Sequence, residues 1–533
     1  MYKETQGQTK LRMNEFNTEN ADVNKLRKRN TFTQLMRDNS MEFCRSTTLH
    51  GLQYVGEKHR SFLERLFWLT TFLISTGVVI YYIIRVWIKW HNHPVLVSFA
   101  EVATPIWHIP FPAITICSQI KVRQSVFNYT KAVLKDNLTD EETEKMEYAQ
   151  LFCNNDYFIT AVSSNVATTD NKAVEFIEQA APGLFDVIPF CKWSGTEEEC
   201  SNIFTPVLTD DGLCYTFNML SFEQMFKNGT IQRQGKQSNN TRTSDWNLES
   251  GYHDIDAKDA FPRRSVGTGI RTGLFLLLSS ENEDEDTMCS TPIDGVKVLL
   301  HNPTDYPLVQ SDYFHVPLQR DVVVSIKPRV ITTSEGLKNY DPQRRWCYFS
   351  SERHLRHFSI YTQHNCDLEC LTNYTLTQCG CVAYYMPRDK DTPICAVGQR
   401  GCLTNASDAF AMDDDGMLEC ACLPACSEIT YDVETSQSTF RWAEVLKAVN
   451  AWKGTNISID GKIGRISFYY KDSQFVANRR GELFGPIDFL ASCGGLMGLC
   501  LGFSFLSLVE IFYFFTIRLY STFRANTKTC QEQ

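Results

Sequence analysis

Two stretches of this chain run for 18 residues or more without a charged side chain in strongly apolar company: Phe67 to Ile84 and Phe489 to Val509. A hydrocarbon core about 30 Å thick needs roughly 20 such residues in a helix, and no other window comes near that. The pattern predicts a chain that crosses a membrane twice and carries a large middle between two short ends. The alternative is a pair of core helices in a soluble protein. A charged segment precedes the first run and no small-residue cleavage site follows it, so it reads as a signal-anchor helix rather than a removable leader.

Charge supplies a direction. Residues 1–66 hold 12 Lys/Arg and 8 Asp/Glu, residues 518–533 hold 3 and 1, and residues 86–487 hold 36 and 51. The positive-inside bias therefore places both termini in the cytosol and the acidic middle outside. Seven N-x-[ST] sequons, at Asn128, Asn137, Asn228, Asn239, Asn373, Asn405 and Asn456, all fall in that middle, as glycosylation in the lumen requires. An acidic balance disfavours a nucleic-acid partner, which needs a basic face for phosphate. No repeat or low-complexity segment points to a solenoid or a disordered hub.

Sixteen of the 20 cysteines lie between the spans, ten of them within residues 347–426. In an oxidising compartment an even count reads as eight disulfides, although the Cys-x-Cys and Cys-x3-Cys spacings would also suit zinc if the thiols stayed reduced. Cys366 and Cys370 stand at i and i+4, one above the other on a helix face. Cross-links there would stiffen a lever able to carry force toward a membrane. Spacing leaves the connectivity open.

The second span, taken as Ile487 to Ile517, would be about 46 Å long as one helix, more than the bilayer core holds. A tilt, bend or break is expected, with backbone freedom at Gly494, Gly495, Gly498 and Gly502. On a continuous helix Ala491, Gly495, Gly498, Gly502 and Val509 share one nearly bare stripe. That stripe suits close helix packing, or several copies lining a narrow pathway where backbone carbonyls and the Ser504 hydroxyl replace water around a cation. Glu510 favours the pathway, because an acid within a span faces water or a partner. With Asp488 at the other mouth, carboxylates at both ends select cations. Before the first span the chain reads Thr48-Leu49-His50-Gly51-Leu52, where His50 alone would be a solvated histidine. After it, Trp87, Trp90, His91 and His93 form an interfacial belt, and Phe111 to Cys117 looks like a buried strand.

Several of these segments resemble one family. His50-Gly51, Phe111 to Cys117 (FPAITIC), Leu213 to Asn218 (LCYTFN), Cys379 to Pro387 (CGCVAYYMP), Cys420 to Tyr431 (CACLPACSEITY) and Gly494 to Glu510 (GGLMGLCLGFSFLSLVE) are similar to signatures of the epithelial sodium channel, degenerin and acid-sensing channel superfamily. The wording of the pore helix is most like the insect pickpocket branch. The resemblance implies a membrane α+β protein: two transmembrane helices flanking a large disulfide-rich ectodomain of palm, knuckle, finger, thumb and β-ball, assembled as a trimer. Its parts would be a cytosolic segment 1–66, a first helix 67–88, an extracellular domain 89–486 with the thumb at about 347–430, a pore helix 487–517 and a cytosolic tail 518–533.

Carried over by position, the resemblance makes Gly502, Phe503 and Ser504 the selectivity filter. Ala491 falls at the position where bulky side chains hold members open, and Gly498 where amiloride binds. Gly495, Asp488 and Glu510 line the pore, and His50 with Gly51 form a re-entrant turn along it. It also implies the pairs Cys117–Cys214, Cys191–Cys200, Cys347–Cys426, Cys366–Cys422, Cys370–Cys420, Cys379–Cys402 and Cys381–Cys395, leaving Cys153 with Cys289. Phe503 stands where many vertebrate members have a small residue, which bears on the strength of sodium preference. The tail has no Pro-Pro-x-Tyr.

The expected function is a voltage-insensitive, amiloride-sensitive sodium channel subunit in the plasma membrane. It would work as a homotrimer or with related subunits, contact lipid, need no cofactor or metal, perform no enzymatic chemistry and open to an extracellular ligand or other stimulus. No span carries the repeated arginines of a voltage sensor. Two alternatives stand: an ATP-gated type of two-span receptor channel, which would need a basic triphosphate site, and a non-conducting receptor with two anchors. No nucleophile elbow, His-Glu-x-x-His or Walker loop supports an enzyme. For the stimulus, Glu281 to Asp286 and Asp413 to Asp415 are acidic clusters that could share protons or simply be solvated loop tips.

Overall fold

The structure, a computed structural model, describes residues 36–57, 59–92, 95–153, 166–231, 243–254, 260–280, 284–290, 293–412, 420–453, 461–483, 485–522 and 524. The chain forms two compact units, one of residues 97–481 and one built from both ends, 1–96 with 482–533.

Alternating apolar residues build the larger unit. Leu274, Leu276 and Leu278 on the strand Leu274–Ser280 and Val322, Val324 and Ile326 on the strand Arg320–Thr333 are buried, as period-two strands facing one core require. Arg320–Thr333 is central to a mixed sheet. It pairs antiparallel with Glu428–Thr439 (Val324 opposite Thr435) and parallel with Lys462–Tyr470 (Val322 opposite Ile466). Leu274–Ser280 continues the sheet antiparallel, with Leu276 opposite Ile466, and Phe190–Trp193 follows it. A backbone approach fixes that edge: a Cβ on Gly273 would lie 1.8 Å from the Phe468 carbonyl oxygen.

A second sheet of five strands runs in the order Phe314–Val316, Val296–His301, Ala113–Ser118, Gly212–Phe217, Phe204–Thr209. Its Ala113–Ser118 strand is the buried strand expected from Phe111 to Cys117, and Cys117 is bonded to Cys214 on the neighbouring strand. Phe111 meets Trp193 and Tyr470 edge-on at 5.0 and 5.2 Å, so one apolar core spans both sheets.

All eight disulfides found among the described residues lie in this unit: Cys117–Cys214, Cys153–Cys289, Cys191–Cys200, Cys347–Cys426, Cys366–Cys422, Cys370–Cys420, Cys379–Cys402 and Cys381–Cys395. Five of them staple the helix Gln363–Cys379 and its surroundings. That helix starts where the Thr362 hydroxyl accepts the Asn365 N–H and stops at Gly380, whose φ of 71° is left-handed. Cys366 and Cys370 do stand on one face of it, each bonded to the segment at 420–422.

Candidate functional site

The smaller unit contains the long helix Phe62–Asn92, which extends beyond 67–88 at both ends. Its large apolar side chains face outward, with Phe67 62% and Ile74 68% exposed, an arrangement stable only in lipid or against other chains. Among the described residues, the second long apolar segment, Phe505–Thr522, is likewise outward-facing.

The continuous second span considered above does not form. Residues Pro486–Leu501 make a first half-helix, Gly502, Phe503 and Ser504 leave helical geometry, and Phe505–Phe512 begins a second half-helix that passes into a π-helical turn at Tyr513–Arg518. The bare stripe is therefore limited to Ala491, Gly495 and Gly498; Gly502 lies in the break and Val509 beyond it. Three local causes set the break. Gly502 adopts φ 64°, which a residue with a Cβ resists, and its N–H turns back to the carbonyls of Gly498 and Met497. The Ser504 hydroxyl accepts the Ser507 N–H at 3.3 Å and starts the next helix. Pro486 and the Asp488 carboxylate, which accepts the Gly485 N–H at 3.0 Å, open the first half-helix.

Among the described residues and apart from the surrounding turns of the same helix backbone, nothing lies within 4 Å of the space a Cβ would take on Gly494 or Gly495, and at Gly498 the nearest such atom is the Phe503 carbonyl oxygen at 3.8 Å. Phe489 holds the first half-helix to the long helix, stacking on Trp90 at 5.4 Å and meeting Trp87 edge-on at 5.7 Å.

The segment before the long helix packs on the break. Residues 36–46 are helical, and Gly51, with φ 85°, starts the short helix Leu52–Gly56. His50 donates its N–H to the Leu501 carbonyl at 2.9 Å, and its imidazole lies against Gly502. Thr48 donates its N–H and its hydroxyl to Glu510 Oε2, each at 3.3 Å, and its Oγ1 is 3.0 Å from Ser507 Oγ. Asn39 Nδ2 donates to the Phe514 carbonyl at 2.8 Å, Phe43 meets Phe514 and Phe515 edge-on, and Arg518 pairs with Glu42. The structure thus brings His50, Gly51, Gly502 and Glu510 together, while Asp488 and Ala491 belong to the far end of the first half-helix. Thr48, Ser507 and Asn39 were not singled out from sequence. Partners some 460 residues apart leave no local signal, although Ser504-x-x-Ser507 after a glycine could have been read as a helix stop and restart.

The larger unit holds a separate acidic group. Asp305, His364, Asp367 and Glu428 line a cavity of about 320 Å³. Burial pushes Asp367 up to about 6 and raises Asp305 and Glu428. Burial also takes Asp210 up to about 6, although it accepts the N–H groups of Val309 and Gln310. Its neighbour Asp211 is lowered despite its burial, because Lys121 and Lys297 both pair with it.

Asp284 and Asp286 of the first acidic cluster are not solvated tips: Asp284 accepts the Ser125 N–H, and Asp286, fully buried, accepts the N–H and hydroxyl of Thr130. Glu281 to Glu283 and Asp413 to Asp415 lie outside the described residues, as do the sequon residues Asn239 and Asn456. Of the other sequons, Asn137, Asn228, Asn373 and Asn405 are exposed, and Asn128 is half-buried, capping a helix by accepting the Lys131 N–H. No group of three or more His, Cys, Asp or Glu suited to a metal ion occurs among the described residues.

Residues 43–514 match the family model described as amiloride-sensitive sodium channel. The chain is 30% identical to pickpocket protein 28 of Drosophila melanogaster over 90% of its own length and 79% of that protein's. It is 24% identical to the sodium channel protein Nach of the same fly, covering 93% and 90%. To acid-sensing ion channel 2 of Homo sapiens it is 22% identical, covering 88% and 84%.

Proposed function

This chain belongs to the amiloride-sensitive sodium channel family and is a cation-channel subunit of it, and from that premise we propose that it forms a voltage-insensitive, sodium-selective, amiloride-sensitive pore opened from outside the cell. Family members are plasma-membrane channels assembled from related subunits, and the two apolar spans fit a two-pass topology. In this reading both termini are cytosolic and three subunits, identical or related, place their second spans around one axis.

The observation that carries the proposal is the break at Gly502-Phe503-Ser504. A helix that stops and restarts within a span frees backbone carbonyls at the place where a dehydrated cation needs oxygen ligands, and irregular backbone at that depth is tolerated only where it faces protein or a water-filled path. Asp488 and Glu510 add negative charge on either side of it and disfavour anions. Amiloride would bind near Gly498, and Ala491 would set closure.

The test is whole-cell current from the expressed chain. An inward sodium current blocked by amiloride supports the reading, and its absence in the wild type and in every bulky Ala491 variant reaching the surface overturns it. Stepping the outside pH from 8 to 5 in the same cells separates a proton stimulus, which the raised carboxyls of Asp367 and Asp305 favour, from chemical or mechanical ones.

A further inference from the structure

Glu510 is held by the segment that precedes the first span. Among the described residues, both donors to its Oε2 come from Thr48, and Thr48 Oγ1 also meets Ser507, which is fully buried and stands one turn before Glu510 on the same helix face. Thr48 is itself fixed from both sides. Thr47 is buried and its hydroxyl accepts the Leu49 N–H, Leu49 is buried, and the next residue, His50, is bonded to the Leu501 carbonyl. Thr48 therefore cannot change place without disturbing the contact at the break.

We infer that Thr48 is a positioning residue for Glu510: it fixes where the carboxylate sits along the pathway, and so sets ion discrimination and unitary conductance. The physical reason is that Thr48 contributes only neutral donors. They orient the carboxylate and leave its charge whole, whereas a lysine or arginine in the same place would cancel it. A charge in a narrow, poorly solvated passage acts on a passing ion with a strength that falls with distance, so a carboxylate free to change rotamer presents a weaker and more diffuse field than one held by Thr48. The inference rests on the second span being the conducting element, as proposed above.

The experiment compares full-length wild type with Thr48→Ser, Thr48→Val and Glu510→Gln, recording single-channel conductance, the reversal potential with sodium outside and potassium inside, and surface density. Thr48→Ser keeps the donor and is expected to match wild type. Thr48→Val keeps the bulk and the N–H but loses the hydroxyl, and is expected to lower the sodium-to-potassium permeability ratio about fivefold, in the range of one ordinary net hydrogen bond. In the Glu510→Gln background the same change is expected to add little, since both act through one carboxylate. A purely structural role for Thr48 would alter surface density and leave the permeability ratio unmoved, and that result overturns the inference. Should Thr48→Val fail to reach the surface, Thr48→Cys, with a weak S–H donor, makes the same comparison. Absence of cation current from the wild type and from bulky Ala491 variants at the surface would instead overturn the conduction reading beneath it.

Discussion

The imidazole of His50 occupies the space that a side chain on residue 502 would need: a Cβ there would sit 2.8 Å from three atoms of the ring. Gly502 also holds φ 64°, so two independent constraints exclude a larger residue. Gly502→Ala is expected to reduce current about tenfold or more at unchanged surface density, because the backbone of the break must shift. Adding His50→Ala relieves the contact but not the backbone strain, so recovery should be partial. Equal currents from Gly502→Ala and wild type would refute the packing argument.

Gly273 is expected to be as intolerant, for a different reason. Its missing Cβ would fall 1.8 Å from the Phe468 carbonyl oxygen, inside the pairing of Leu274–Ser280 with Lys462–Tyr470. Gly273→Ala should destabilise the larger unit by about 4 kcal/mol, the scale of a forced core rearrangement, and surface labelling should fall steeply at 37 °C. Normal delivery of the variant would mean that the two strands can separate at little cost.

Cys366–Cys422 closes a loop of sequence separation 56 across the helix Gln363–Cys379. Because Cys370–Cys420 already closes most of that loop, replacing both cysteines by serine is expected to lower stability by about 2 kcal/mol on the chain-entropy estimate. Thermal unfolding of the purified full-length protein reads this directly, and a midpoint within a degree of wild type would show that the neighbouring links suffice.

Acidity should act on the larger unit with a definite sign at Asp210. A carboxyl in an unfolded chain titrates near 4, whereas burial takes this one up to about 6. Between those values the folded form binds more protons, so the penalty of ionised Asp210 grows as pH rises from about 4 to about 6, is complete above 6 and is absent below about 4. Buried histidines work in the opposite direction, His301 being pushed down to about 3, so the difference between variants is the readout. Asp210→Asn should gain on wild type by about 1 kcal/mol between pH 5 and 7.5, after discounting for partial solvent screening. A pH-independent difference would show that Asp210 titrates normally.

The sequence made the two spans legible because a run of 18 uncharged residues has few uses other than lipid, and the strand at Ala113–Ser118 because continuous apolar residues must be buried. It did not locate the break. Gly494, Gly495, Gly498 and Gly502 are equivalent as letters, and only Gly502 is followed by a serine able to cap a new helix while a histidine from the other end of the chain presses on it. The disulfide pairs were implied by resemblance, since sixteen cysteines admit far more connectivities than spacing can sort. Thr48 and Asn39 escaped notice because their partners, Glu510 and Phe514, are 462 and 475 positions away. Buried ionic groups such as Lys121, Asp211 and Lys297 read as surface charge until the fold gathers them.

Because Gly502 to Ser504 interrupt the second span, its two halves need not turn together. The portion after the interruption is tethered through Asn39 and Thr48 to the amino-terminal segment, while the portion before it is anchored by Phe489 to Trp87 and Trp90 and met at its end by His50, which bonds the Leu501 carbonyl. The amino-terminal segment thus reaches both sides of the interruption, through Thr48 to the Glu510 half and through His50 to the end of the Ala491 half, so that a modification of it bears on both at once.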